Sequence, residues 1–293
     1  MFTGGNTMNI AVMTDSNSGI TQEKAKELGI FVVPMPFTIN KESFLEDITL
    51  TQEEFYHKLE DENTQIMTSQ PAIGDLTKYW RSALESHDAI IYIPMSSGLS
   101  GSCQTAMMLS DDEEFEGKVF VLDTHRISVT QEQNVLDAIK LVKEGKSVEE
   151  ICETITSHKS DASIYITVPT LKYLKRGGRI TPAAAAIGNL LKIKPILYVG
   201  GEKLDKFEQA RTVKKARKIM IEAIKNDIEK NQFDDYELYI AYTKDLDQAM
   251  DFKSEVEKTL NHKVETVAPL SLSVSCHIGP GAIALAVAKK YVK

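Results

Sequence analysis

Short apolar runs rich in β-branched residues alternate with amphipathic helical segments along almost all of this chain. Runs at 9–13, 88–94 and 118–122 read as strands. Helical periodicity begins at Thr21, Pro71 and just past Gly101, and fills 129–143 and 148–158. Parallel strands need a crossover long enough for a helix, so this order predicts a parallel sheet covered on both faces. One interruption is expected. Pro34, Pro36 and the Asn40-Lys41 turn suggest a small hairpin arm over about 34–50, followed by a helix at 51–59. The pattern then changes. Strands at 162–168, 194–199, 203–209, 236–242 and 263–267 surround helices at 213–228 and 246–260, and Thr181-Pro182 opens an Ala-rich helix. The final run, Ala282-Ile283-Ala284-Leu285-Ala286-Val287-Ala288, alternates small and large residues at period two, which favours a strand despite its alanine content. The expected fold class is α/β in two domains. Residues 8–160 form an N-terminal three-layer α/β/α unit with a parallel sheet. Residues 161–293 form a C-terminal two-layer α+β unit with a mixed sheet.

Charge narrows the function. The 293 residues carry a formal charge of −8, which argues against a general nucleic-acid binder, because phosphate neutralisation needs a basic face. That average hides a basic segment. Residues 171–225 hold 14 Lys+Arg against 4 Asp+Glu, which leaves 20 basic and 38 acidic residues elsewhere. No stretch has the roughly 18–20 apolar residues of a membrane span, so no stable membrane insertion is expected. Residues 1–7 lack a signal-peptide pattern and read as an extension ahead of the first strand. Cys103, Cys152 and Cys276 show no metal-ligand spacing and cannot all pair internally. A reduced, cytoplasmic protein without a metal is the simplest reading.

Several polar turns sit where α/β proteins bind ligands. Ser96-Ser97-Gly98-Leu99-Ser100-Gly101 follows a strand and leads into a helix. Backbone N–H groups and serine hydroxyls there suit an anion, although a capped tight turn would look the same. It is neither a G-x-G-x-x-G nor a Walker A sequence. Thr68-Ser69-Gln70-Pro71 and the Asp15-Ser16 turn are further hydroxyl-rich βα junctions; each reads equally as an N-cap or Asx-turn. His277 stands in the glycine-rich Cys276-His277-Ile278-Gly279-Pro280-Gly281 turn, as an anion donor, an acid/base or a plain buried histidine. Lys175-Arg176-Gly177-Gly178-Arg179 reads as a basic, flexible loop. Arg211 stands at a later helix entrance, with Lys214, Lys215, Arg217 and Lys218 on the helix that follows. A phosphate-ester enzyme or a serine hydrolase using the 96–101 loop is the alternative reading. Ser100, however, lacks the final glycine of the G-x-S-x-G elbow.

In order and spacing, Asp15-Ser16-Asn17-Ser18, Thr68-Ser69-Gln70-Pro71, Ser96–Gly101, Leu174–Ile180, Lys194-Pro195-Ile196, Ala210-Arg211-Thr212 and His277–Gly281 resemble the DegV family over about residues 9–290. Asn17 stands where that family usually has Thr, and Ser102-Cys103 where Thr-Tyr is common. The resemblance implies a DegV-like fold and a non-catalytic protein that binds one long-chain fatty acid between two domains. Such a protein presents the carboxylate to a separate, dihydroxyacetone-kinase-like fatty-acid kinase, which forms the acyl phosphate used in phospholipid synthesis. It implies Thr68, Ser69, Ser97, Ser100, Arg211 and His277 around the carboxylate, and Arg176 and Arg179 on a kinase-docking loop. The fatty acid is the ligand, and no cofactor is implied. Physically the task is reasonable. Burying about 15 carbons at ~0.8 kcal/mol each gives about 12 kcal/mol of gross burial, and neutral hydroxyl donors at the rim satisfy a carboxylate that is costly to bury unpaired.

Overall fold

The structure, a computed structural model, describes residues 8–60, 64–187 and 193–292; the expected N-terminal extension, residues 1–7, lies outside them. The first half contains β1 (Ile10–Asp15), α1 (Gln22–Leu28), β2 (Phe31–Val33), β3 (Pro36–Ile39), β4 (Glu42–Leu45), α2 (Gln52–Glu60) and β5 (Ile66–Thr68). It continues through α3 (Ile73–Leu84), β6 (Ala89–Ile93), α4 (Ser102–Ser110), β7 (Val119–Val121), α5 (Val129–Lys143) and α6 (Val148–Ser157). The second half runs β8 (Ala162–Thr167), α7 (Lys172–Gly177), α8 (Pro182–Ala185), β9 (Lys194–Val199), β10 (Asp205–Ala210), α9 (Val213–Lys230) and β11 (Tyr236–Tyr242). It closes with α10 (Leu246–Leu260), β12 (Val264–Pro269), α11 (Leu272–Ile278) and β13 (Ile283–Lys289).

The strands β2-β1-β6-β7 form a parallel sheet in that order. Because β1 alternates its faces, Ile10 and Val12 pack with Val135, Ala138 and Ile151 of α5 and α6. Ala11 and Met13 pack with Leu76, Trp80 and Ala106 of α3 and α4. Trp80 is fully buried, edge-on to Tyr92 and Phe115. The expected three layers are present. So are the helix caps that sequence suggests. Thr21 caps α1 and Thr51 exchanges hydrogen bonds with Glu54 at the start of α2.

The second sheet has the order β10-β9-β8-β13-β11-β12 and is mixed, since only β11 and β12 run parallel. The period-two pattern of β13 explains its two faces. Ile283, Leu285 and Val287 are buried against α9 and α10, with Met220, Ile224, Phe252 and Val256. Ala284, Ala286 and Ala288 face the other way, toward Met95, Leu99 and Val129 of the first half. Large residues fill the core against the helices, and small ones leave room on the face turned to the first half.

Four expectations change. The arm is three-stranded, because β5, read as a turn, pairs with β3; it packs through Phe37, Phe55 and Tyr56 on Leu272 and Cys276. Helix α3 begins two residues beyond Pro71, with Ala72 as N-cap. The basic 175–179 segment is not a flexible loop. Leu174 is fully buried and anchors α7, and Gly178, at φ 68°, terminates it in the left-handed conformation that glycine favours. His277 lies in the last turn of a helix, α11, and the glycine-rich turn starts only after it.

Candidate functional site

The apolar face of the second sheet, the ends of β5 and β6, and helices α7 and α11 enclose a cavity of two adjoining lobes. Their free volumes are about 570 Å³ and 500 Å³, and they share Leu99, Ile127, Leu204, Val274 and Ile278. The first lobe has a polar rim of Asn17, Thr68, Ser69, Gln70, Ser100, Arg179, Ser273 and His277. The second is almost wholly apolar, lined by Val129, Ile164, Ile166, Val199, Ala241, Ala284 and Ala286, with Ser128 its one hydroxyl. An amphiphile with a small polar head and a long apolar tail matches this division.

At the head end, His277 Nε2 and Thr68 Oγ1 are 2.8 Å apart and share a hydrogen bond. The imidazole is largely removed from water and lies near Arg179 and Arg176. Desolvation first, then those two cations, push its pKa down to about 4. His277 is therefore neutral near pH 7. With its proton on Nε2, it donates to Thr68 and frees the threonine hydroxyl to donate to a ligand oxygen. Gly177 sits so close that any Cβ there would overlap the His277 ring, whereas Gly178 is required by its positive φ. Ser100 Oγ accepts the Ser102 N–H at 3.2 Å, so its own proton remains available. Ser69 donates its N–H to Pro36 C=O at 3.1 Å and keeps its hydroxyl on the rim.

Behind the rim, carboxylates hold the turns. Asp15 is fully buried and accepts from Asn17 N–H and Nδ2, Gln131 Nε2 and Met95 N–H; burial raises its pKa despite these bonds. Ser273 Oγ donates to Asn17 Oδ1 at 2.7 Å, and also lies 2.8 Å from Glu46 Oε2. Glu46 further accepts from Ser16 Oγ at 2.7 Å and from the Leu272 N–H. Its pKa rises to about 7 because desolvation outweighs those donors. Glu46 thereby ties the arm, the first βα turn and α11 together beside the head site.

Thr68, Ser69, Ser100 and His277 line one lobe together, although they come from β5, the loop after it, the loop after β6, and α11. Three expected residues lie elsewhere. Ser97 is half-buried, and its N–H donates to Asp123 Oδ1; it is not in the lining. Arg211 is exposed at the entrance to α9 and also outside the lining. Arg179, expected on the docking surface, instead lines the head lobe and donates to Gly177 C=O at 2.6 Å and Leu99 C=O at 3.4 Å. Arg176 stays exposed over the Tyr173 ring. Sequence reasoning passed over Asn17, Glu46 and Ser273. Asn17 lies inside the Asp15–Ser18 turn already singled out. Ser273 hides in Leu270-Ser271-Leu272-Ser273-Val274-Ser275, whose strict alternation imitates a strand.

Ser100 and His277 do not make a hydrolase pair here. The imidazole bonds to Thr68 through Nε2, and its other nitrogen faces Gly177 rather than an orienting carboxylate. Among the described residues no cluster of three His, Cys, Asp or Glu is placed to hold a metal, and no helix is long and apolar enough to cross a membrane.

Comparison with known proteins agrees with this geometry. A DegV domain-containing protein of Halalkalibacterium halodurans is 32% identical over 278 residues, covering 94% of this chain and 97% of that protein. Protein DegV of Bacillus subtilis is 35% identical over 224 residues, 76% of this chain and 79% of its own. Among solved structures, a DegV family protein from Thermus thermophilus, described for its fatty acid binding, superposes with a TM-score of 0.87 at 31% identity, over 97% of this chain and all of that one. The structure of DegV from Bacillus subtilis, described as a fatty acid binding protein, gives 0.84 at 30% identity over 97% of this chain and 100% of the other. The family model described as "Uncharacterised protein, DegV family" matches residues 9–290, and the chain belongs to that family.

Proposed function

We propose that this protein binds one long-chain fatty acid and offers its carboxylate to a separate kinase for acyl-phosphate formation. The observation that carries the reading is the joining of a hydroxyl- and imidazole-rimmed lobe to an apolar lobe in one enclosure. The tail lies over Ala241, Ala284 and Ala286. The carboxylate meets Thr68, Ser69 and Ser100, with His277 holding the Thr68 hydroxyl. Neutral donors stabilise the carboxylate without cancelling its charge, so it keeps the nucleophilicity that attack on a γ-phosphate needs. Arg179 brings one positive charge to the rim, already committed to two backbone carbonyls. On this reading the protein is a binding subunit, and the nucleotide chemistry belongs to its partner. Arg176 and the basic 171–225 segment provide the docking face. The two units divide near residue 160, with the ligand between them. Three free thiols, two of them buried, fit a reducing cytoplasm.

With a partner kinase and ATP, acyl phosphate should form on the wild-type protein. Ser100→Ala should cut its yield at least about tenfold, as expected for losing one hydrogen bond to a charged group. An unchanged yield would remove Ser100 from the head site.

A further inference from the structure

The second sheet acts as a ruler along the cavity. The head end lies where β8 runs out into Val168, Leu171 and Leu174, since α7 and Arg179 follow directly. Going back along β8, the strand pairings define two rows across the sheet. Ile166 lies opposite Leu197 and Ala284, and Ala284 opposite Ala241. Two residues farther from the head, Ile164 lies opposite Val199 and Ala286. Each two-residue step is about 6.6 Å. In both rows the residue on the central strand β13 is an alanine beside bulky neighbours on β8 and β9, but on β11 the near row has Ala241 where the far row has Tyr239, opposite Ala286, so the far row carries more bulk.

A second, separate cleft lies beyond that row. It has about 550 Å³ of free volume and polar walls that include Thr130, Lys159, Ser160 and Tyr198. It shares three residues with the apolar lobe: Ile127, Ile164 and Val199. Ala162, the next inward position along β8, belongs to the polar cleft alone. The same three side chains are thus apolar on one side and border polar, water-accessible space on the other.

Resting on the fatty-acid reading, we propose that Ile164 and Val199, which border the apolar lobe and the cleft behind it but not the head lobe, form the end wall of the acyl cavity, and so set the longest chain the protein accepts. A tail that reaches this row stops against β-branched side chains with little rotameric freedom. A longer one must displace them or leave methylenes unburied. Opening the wall joins the apolar lobe to the cleft behind it, so extra carbons find a path.

The test measures dissociation constants for delipidated protein against a series of saturated acids of increasing length. The wild type should show a length beyond which affinity stops rising. Val199→Ala and Ile164→Ala should move that limit outward, by about two carbons for the two methyl groups Val199→Ala removes, and tighten binding of the newly admitted acid about tenfold. Ala286→Val, in the same row, should move it inward, which keeps the test decisive if a wall variant fails to fold. An unchanged limit in folded variants that still bind shorter acids would overturn the wall. A wild type that binds no acid of any length would instead overturn the fatty-acid reading itself.

Discussion

His277 and Glu46 carry opposite pH signatures, and their chemistry sets the behaviour of the head site. The pKa of His277 falls from 6.5 to about 4 on folding. The unfolded chain then binds the extra proton between these values, so the stability His277 contributes is complete above pH 6.5 and is lost as pH falls toward 4. Glu46 rises from 4.5 to about 7. There the folded state binds the extra proton, so its contribution is complete below pH 4.5 and is lost as pH rises through 7. The two slopes oppose each other from about pH 4.5 to 6.5. Relative to wild type, His277→Gln should lower the slope of Tm against pH across that window, and Glu46→Gln should raise it. Calorimetric scans at half-unit intervals read this directly; parallel curves for all three proteins would mean that neither group titrates as its surroundings dictate. A related steric prediction concerns Gly177. Gly177→Ala would drive a methyl group into the His277 ring and should weaken fatty-acid retention several-fold, measured as the ligand's release rate, because Thr68 loses its partner. Thr68, Ser100 and His277 were recognisable as residues from their turn chemistry. Glu46 was not, because a lone glutamate after a hairpin looks like solvated surface until α11 closes over it.

Among the elements, β13 best joins sequence to function. Its period-two alternation was readable in advance, and the same alternation divides core positions from cavity-facing ones. Leu285→Ala should cost about 2–5 kcal/mol of stability, as for other buried leucines, because Leu285 is fully buried under α9 and α10. Ala284→Leu makes the opposite kind of change on the opposite face. It should leave Tm within a few degrees while reducing bound ligand well below one per chain by native mass spectrometry; full occupancy would show that the lobe it lines is not where the tail lies. The elements that sequence misplaced share a physical cause. Helix α7 is six residues long and α11 seven, too short for periodicity to identify and too short to be stable alone. They exist because Leu174, Leu272 and Cys276 are buried against neighbouring elements. Strand β5, three residues long, is likewise defined by its pairing with β3.

For the molecule as a whole, the layer order followed from the alternation of elements, but the cavity did not. Its walls come from segments as far apart as Asn17 and Ala286, and the packing of the second sheet, through Ala284, Ala286 and Ala288, on Met95, Leu99 and Val129 of the first half brings them together. The halves are also tied at the far end of the chain. Val292 is buried in the first core, and Tyr291 stacks on His158 and donates to Asn134 Oδ1 at 2.8 Å. The charge pattern is now divided as well. Within the basic 171–225 segment, Arg179 belongs to the head lobe, whereas Arg176 and Arg211 remain on the surface. On the proposed function, the cavity holds one acyl chain. Organic extraction of the denatured protein after expression in bacteria, quantified by mass spectrometry, tests it most directly. About one long-chain fatty acid per polypeptide is the expected result. Protein that yields no fatty acid, and takes up neither palmitate nor oleate when they are added, would contradict it.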